Sequence, residues 1–312
     1  MILKLQAPVY LEALSQLQGN PDVSSLVINS SDVLIKKMFQ AGFCESVIRI
    51  GGIPTVRFWR DLEWQLSHVP VFNFTDLPFT GLARSSQNFQ INFEKIIQPN
   101  KNKAWDEFKN KNVQLQDIKN SLYSRFPNAE PTCVHNLSKQ VGCDPIYLGN
   151  SLPIREWDLF SDALISNKQD QSIYANRGVN GIDGQVSTYL GWSEGKKNSW
   201  CFVGDLTAMY DLVSLGLTQP KTASKKRIVI MNNFGGQIFK RVFNKSQFLN
   251  THQIEFKGWA DMWKWNYLKI SDATDFKHLA QLQQENTVVE IQPDLKQTED
   301  FWTQWDLACK EI

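Results

Sequence analysis

Short apolar runs that end on glycine alternate along this chain with stretches of helical spacing. Residues 46–50 (Ser-Val-Ile-Arg-Ile) predict a buried strand closing at Gly51-Gly52, residues 55–66 carry the 3.6-residue spacing of a helix, and HVPVFNF returns as a strand. Ahead of them, LVINSSDVLIKKMFQAGF predicts a strand or turn followed by a helix. This β–turn–α–β order builds parallel sheets. The second half repeats the logic: strands at 145–148 and 173–175, a strand WCFV meeting Gly204-Asp205, a helix over 206–217, then a strand over 227–231. The fold class expected is therefore α/β, with two doubly wound domains on parallel sheets. The lysine- and asparagine-rich stretch 98–112 predicts a connection or solvated helix between them, giving domains 1–112 and 113–312.

Length agrees, since 312 residues make about two domains. The 33 basic against 32 acidic side chains leave a net charge of +1, without the electrostatic footprint of a nucleic-acid binder. No apolar run approaches the roughly 18 residues of a membrane span. The N-terminal MILKLQAPVYLEAL has polar residues inside its apolar stretch and reads as linker into helix rather than signal peptide. Cys44, Cys133, Cys143, Cys201 and Cys309 are scattered without a CxxC, against a disulfide scaffold or structural zinc. A cytoplasmic protein is expected. His68, His135, His252 and His278 fall in no ligand spacing, and read as surface or satisfied interior groups. Trp259, Trp263 and Trp265 read as a packing face.

The chemistry concentrates where two strands end, in VGDLTAMYDL and IVIMNNFGGQIF. Open parallel sheets bind ligands at such ends. Asp205 offers a carboxylate oxygen, Asn233 an amide oxygen from the next strand, and Gly235 a carbonyl; this hard oxygen set suits Mg²⁺ completed by phosphate oxygens. Gly204 removes a Cβ where a diphosphate would approach, and the following helix start favours an anion. Taken singly, a Gly-Asp before a helix is ordinarily a turn with a cap, and NN-x-GG ordinarily a loop. Together on successive strands they match the Gly-Asp … Asn-Asn signature of thiamine-diphosphate enzymes.

Two further segments, GNSLPIR from Gly149 to Arg155 and NRGVNGIDG from Asn176 to Gly184, each follow a strand. With GDLTAMYDL and NNFGGQIF they make the chain resemble the 2-succinyl-5-enolpyruvyl-6-hydroxy-3-cyclohexene-1-carboxylate synthase (MenD) family, strongly over the second half and weakly over the first hundred residues. The resemblance implies a thiamine-diphosphate- and Mg²⁺-dependent (or Mn²⁺-dependent) synthase of menaquinone biosynthesis, which decarboxylates 2-oxoglutarate and adds the succinyl carbanion equivalent to isochorismate. It further implies that Asn150, Arg155 and Arg177 bind substrate carboxylates, since the guanidinium fork suits a carboxylate. Phe239 would line the substrate pocket, and Ser151, Ile182 and Gly204 would contact the cofactor. Asp205, Asn233 and Gly235 would carry the metal. Arg57 stands where the family often has a lysine, with different geometry. A polar-loop arginine is ordinarily solvated or paired with an acid such as Glu156 or Asp158, and Ile182 and Phe239 equally suit a core.

The family has three domains, and this sequence matches the middle and diphosphate-binding ones. The glutamate that activates the cofactor belongs to the aminopyrimidine-binding domain, so no catalytic residue is assigned in this chain. A homo-oligomer or a separate aminopyrimidine-domain chain is the expected partner, and the chain alone is expected to be inactive. Two alternatives stay open: a non-catalytic binding or regulatory protein that keeps the cofactor domain, and another 2-oxoacid decarboxylase or carboligase.

Overall fold

A computed structural model describes residues 2–89, 104–162, 171–177, 181–217, 224–243, 245–282 and 286–312. The sequence-predicted stretches 98–103 and 178–180 lie outside these. The chain divides into two compact units, one of residues 1–122 with 303–312, the other of residues 123–302.

The first unit opens with α1 (Ile2–Leu5) and α2 (Asp32–Gln40). The Ser31 side chain caps α2 by accepting the Val33 N–H at 3.2 Å. Strands β1 (Val47–Ile50), β2 (Val71–Phe74) and β3 (Gln87–Phe89) form a three-stranded parallel sheet in that order. Between β1 and β2, the helix expected over 55–66 shrinks to α3 (Phe58–Asp61). Its apolar face is nonetheless as predicted: Phe58, Trp59, Leu62 and Leu66 all pack into one buried cluster with Phe39 and Val71. Beyond Asp61 the backbone closes i→i+3 bonds, as in Glu63 N–H to Arg60 O and Trp64 N–H to Asp61 O, so helical spacing is kept without helical bonding. Within the stretch expected to be a connection or solvated helix, residues 104–112 begin α4 (Ala104–Arg125), whose Phe108, Leu115 and Leu122 are buried. Its lysines and asparagines are the polar face of an ordinary amphipathic helix.

The second unit holds a six-stranded sheet, every pairing parallel: β4 (Ile146–Leu148), β5 (Ile173–Tyr174), β6 (Asn198–Gly204), β7 (Lys225–Met231), β8 (Asn266–Ile270) and β9 (Asn286–Ile291). Their order is β5-β4-β6-β7-β9-β8. Helices α5 (Glu130–Val141), α6 (Leu152–Phe160), α7 (Gln185–Trp192), α8 (Asp205–Tyr210), α9 (Lys240–Phe243), α10 (Lys257–Met262) and the start of α11 (Leu295–Glu311), whose residues from Thr303 on belong to the first unit, complete the α/β alternation. The central strands are apolar on both faces, as a parallel sheet under helices requires, with Cys201, Phe202, Ile228, Val229, Val288 and Val289 fully buried. Trp259 and Trp265 join that core.

The helix expected over 206–217 ends at Tyr210 and resumes as a 3₁₀ turn at Ser214–Leu217. Asp211 causes the break. Its carboxylate turns away to accept the backbone N–H groups of Val186 at 2.7 Å, Gly184 at 3.2 Å and Ser187 at 3.3 Å, capping α7 from outside. Among the described residues no helix is long and apolar enough to cross a membrane.

Candidate functional site

From β4 the chain passes to β5 on one side, then returns to lay β6 on the other. The gap between the β4 and β6 tips is thus a topological switch point, where the carboxyl ends of an open sheet form a ligand crevice. Gly149, at the β4 tip, donates its N–H to Phe202 O at 2.8 Å, and a Cβ there would come within 2.9 Å of Val203 Cγ1. Only glycine lets the two strands close up at this point.

Asp205 follows β6 and is buried at 2 % exposure. Its Oδ1 accepts the Leu206 N–H at 2.6 Å and its Oδ2 the Gly235 N–H at 2.9 Å. Burial raises its pKa, and the two backbone donors and His252 pull against that rise. Gly235 adopts φ 137°, and a Cβ there would collide with Leu249 O, so the loop after β7 closes over Asp205 only with glycine at this place.

The paired asparagines after β7 diverge. Asn232 turns into the core, its Nδ2 donating to Glu290 Oε1 at 2.7 Å and Ile254 O at 2.8 Å. Asn233 donates Nδ2 to Glu130 Oε1 at 2.8 Å, while its Oδ1 is buried with no hydrogen-bond partner. The Gly235 carbonyl accepts the Gln237 N–H at 2.9 Å. Asp205 and Asn233 therefore sit at neighbouring strand tips, tied together by the Gly235 turn.

Two residues at this centre carried no signal in the sequence. Glu130, the first residue of α5, is 2 % exposed, and its carboxyl is pushed up to about 7 by burial, with the Asp205 charge adding to the rise. His252, expected to be a surface or satisfied interior group, lies with Nε2 3.1 Å from Asp205 Oδ2, close enough for charge pairing but not aligned as a hydrogen bond. Neither a lone histidine nor a Glu-Pro helix start announces such a place; both are brought by tertiary packing alone.

The substrate-side residues gather on the β4 flank. Arg177 donates to Asn150 Oδ1 at 2.8 Å. Asn150 in turn gives Nδ2 to Gly181 O at 2.7 Å and Asn176 O at 3.2 Å, stitching the two loops together. Ser151 takes φ 76°, a left-handed conformation unusual for a side-chain-bearing residue, and Arg155 donates to its carbonyl at 2.6 Å. Ile182 is half-buried in the loop that Asp211 anchors. Phe239 is exposed and stacks with Phe243 at 6.1 Å between centroids. A Cβ on Gly204 would meet nothing within 4 Å, so the β6 tip opens onto free space. Arg57 belongs to the first unit, exposed at the start of α3.

Among the described residues no three His, Cys, Asp or Glu side chains gather as a metal cluster. The donor set at Asp205 and Asn233 is instead one carboxylate, one amide oxygen and a backbone carbonyl. The buried, unpartnered Asn233 Oδ1 is what a hard divalent cation would complete, and the residues fit Mg²⁺ or Mn²⁺ better than a softer ion.

No family model matches the chain. Over 98% of its length the chain is 40% identical to the 2-succinyl-5-enolpyruvyl-6-hydroxy-3-cyclohexene-1-carboxylate synthase of Bdellovibrio bacteriovorus, covering 58% of that protein. Its similarity to the protein of the same name from Akkermansia muciniphila is 34% identity over 96% of the chain and 57% of the relative. The counterpart from Lysinibacillus sphaericus is 26% identical over 86% of the chain and 50% of the relative. The chain spans little more than half the length of these curated relatives.

Proposed function

Over 98% of its length this chain belongs to the family of 2-succinyl-5-enolpyruvyl-6-hydroxy-3-cyclohexene-1-carboxylate synthases, and we propose that it contributes the middle domain and the diphosphate-binding half-site of such an enzyme. In this reading the enzyme is cytoplasmic and acts in menaquinone biosynthesis. It decarboxylates 2-oxoglutarate and joins the resulting four-carbon unit to isochorismate, with thiamine diphosphate and Mg²⁺ (or Mn²⁺) as cofactors. The first domain ends near residue 112, and the second is the cofactor domain. The partner that completes the site is a second copy of the protein or a chain carrying an aminopyrimidine-binding domain.

One observation carries this reading: Asp205 and Asn233, the latter with a buried and unpartnered Oδ1, follow adjacent strands beside a topological switch point, with the Gly235 N–H bonded to the Asp205 carboxylate. Thiamine diphosphate, when bound, supplies the electron sink that decarboxylation needs. The chain's own residues bind and orient. Asp205, Asn233 and the Gly235 carbonyl hold the cation, and Gly204 leaves room for the diphosphate it tethers. Ser151 and Ile182 contact the cofactor. Asn150 sets Arg177 in place, and Arg177 and Arg155 receive the carboxylates of substrates that carry several. Phe239 lines the acceptor pocket.

Calorimetric titration with thiamine diphosphate tests the reading. Binding is expected to need Mg²⁺ and to be lost in Asp205→Asn. Equal binding in EDTA overturns it, as does no binding under either condition once an aminopyrimidine-binding domain is supplied. With an aminopyrimidine-binding domain supplied, 2-oxoglutarate rather than pyruvate is expected to be consumed, and Arg177→Ala is expected to erase that preference.

A further inference from the structure

The metal-site reading leaves one buried acid at its centre without a role. Glu130 is delivered by a rigid helix start: its own N–H donates to Thr298 Oγ1 at 2.9 Å, and Pro131 fixes the backbone beside it. Glu130 faces Asn233, giving it an acceptor at 2.8 Å for the Nδ2 end of the amide.

We propose that Glu130 is a positioning residue that fixes which end of the Asn233 amide meets the divalent cation. This rests on the metal-site reading above. An amide has two unlike ends of nearly equal shape, one donating and one accepting. Only the oxygen ligates a cation; the NH₂ end repels it. Glu130 Oε1 accepts a hydrogen bond, so it holds Nδ2, and the oxygen on the other limb is turned away from it. That oxygen is the one left buried and unpartnered, on a side chain only 5 % exposed. Without an acceptor at 130, nothing at this point distinguishes the two ends, and rotation by half a turn presents the wrong one. Partners that orient a metal ligand from behind in this way are typically worth about 10–100-fold in metal affinity.

Mn²⁺ titration of the full chain with thiamine diphosphate present, followed by the electron paramagnetic resonance signal of the free ion, tests the proposal. Glu130→Leu keeps the volume but removes the acceptor, and is expected to weaken Mn²⁺ binding about 10–100-fold. Glu130→Gln still offers an oxygen to Asn233 and is expected to stay within about threefold of the parent, well short of the loss expected when such a partner is removed. The discriminating readout is the Asn233→Asp background. A carboxylate has two like ends and needs no orienting, so the cost of Glu130→Leu is expected to disappear there, a coupling that a merely structural role does not produce. Should Glu130→Leu fail to fold, Glu130→Met takes its place as the variant without an acceptor. Glu130→Gln as weak as Glu130→Leu would mean that charge alone matters, and would overturn the proposal. So would an undiminished cost of Glu130→Leu in the Asn233→Asp background. If the parent binds no Mn²⁺, or Asp205→Asn binds it equally well, the metal-site reading falls and takes this proposal with it. If Asp205→Asn abolishes binding while both Glu130 variants bind like the parent in either background, only this proposal falls.

Discussion

His252 Nε2 stands 3.1 Å from Asp205 Oδ2, the same oxygen that receives the Gly235 N–H. The imidazole is held from behind, its Nδ1 accepting the Ile254 N–H at 3.2 Å, and its ring meets Phe234 edge-on at 6.2 Å. A cation bound through the Asp205 carboxylate competes with this ring for one oxygen. His252→Ala is therefore expected to tighten Mn²⁺ binding by about 3–10-fold, or roughly 1 kcal/mol. Equilibrium titration of Mn²⁺ checks it. Weaker binding in the variant would make His252 a supporter of the metal rather than its competitor.

Asp211 caps α7 from a distance, taking three backbone N–H groups at its first turn. Those groups have no acceptor within the helix, so removing the carboxylate exposes the cost of burying them. Asp211→Ala is expected to destabilise the protein by about 1–2 kcal/mol, measured as a shift in the urea midpoint. Because the capped turn carries Ile182 and Gly184, thiamine diphosphate affinity is expected to fall with it. Unchanged stability would mean that water replaces the carboxylate.

Where apolar runs end abruptly, the sequence was legible. Trp200–Val203 and Arg227–Met231 are strands in the structure, and the polar residues just beyond them, Asp205 and Asn233, follow neighbouring strands, with Gly235 bonded to Asp205. A strand's end is a local event, set by its own run of residues. What the pattern hid is non-local. The 206–217 helix breaks because Asp211 answers donors some 25 residues earlier in the chain. Glu130 reaches Asn233 across a sequence separation of 103, and no periodicity encodes such a meeting. The lysine-rich stretch before residue 112 was legible only as a solvated helix or connection: its composition records the solvated face of α4, while Phe108, Leu115 and Leu122 fix the buried one.

Glu290, next to the last residue of β9, is fully buried, and both its oxygens are doubly occupied. Oε1 accepts from Asn232 Nδ2 and Gln292 Nε2, each at 2.7 Å; Oε2 accepts from the Phe256 N–H and Tyr267 OH, each at 2.8 Å. Four donors converge on one acceptor-only group, which offsets the cost of its burial. In Glu290→Gln one oxygen becomes NH₂ and faces two donors. A loss of about 2–4 kcal/mol is expected, read from urea unfolding. An effect below 0.5 kcal/mol would mean that the tyrosine and asparagine find other acceptors.

Lys119 sits on α4 with no exposed surface, its Nζ 5.4 Å from the centre of the Trp305 ring. Burial pushes its pKa down to about 7 from an ordinary value of 10.5. The sign of the consequence follows from proton counts. Between pH 7 and about 10 the unfolded chain keeps its proton on this lysine while the folded one releases it. Stability from this group therefore rises with pH across that window, and is at its lowest below pH 7, where the buried ammonium must be carried. Lys119→Met removes the charge and keeps the packing. Its stability relative to the parent is expected to be greatest at pH 6, on the order of a few kcal/mol, and to shrink steadily toward pH 10. Urea midpoints of both proteins at pH 6, 7.5, 9 and 10 measure the difference directly. A gap that stays constant over that range would show that the lysine keeps its proton in the folded state, through a partner strong enough to cancel the effect of burial.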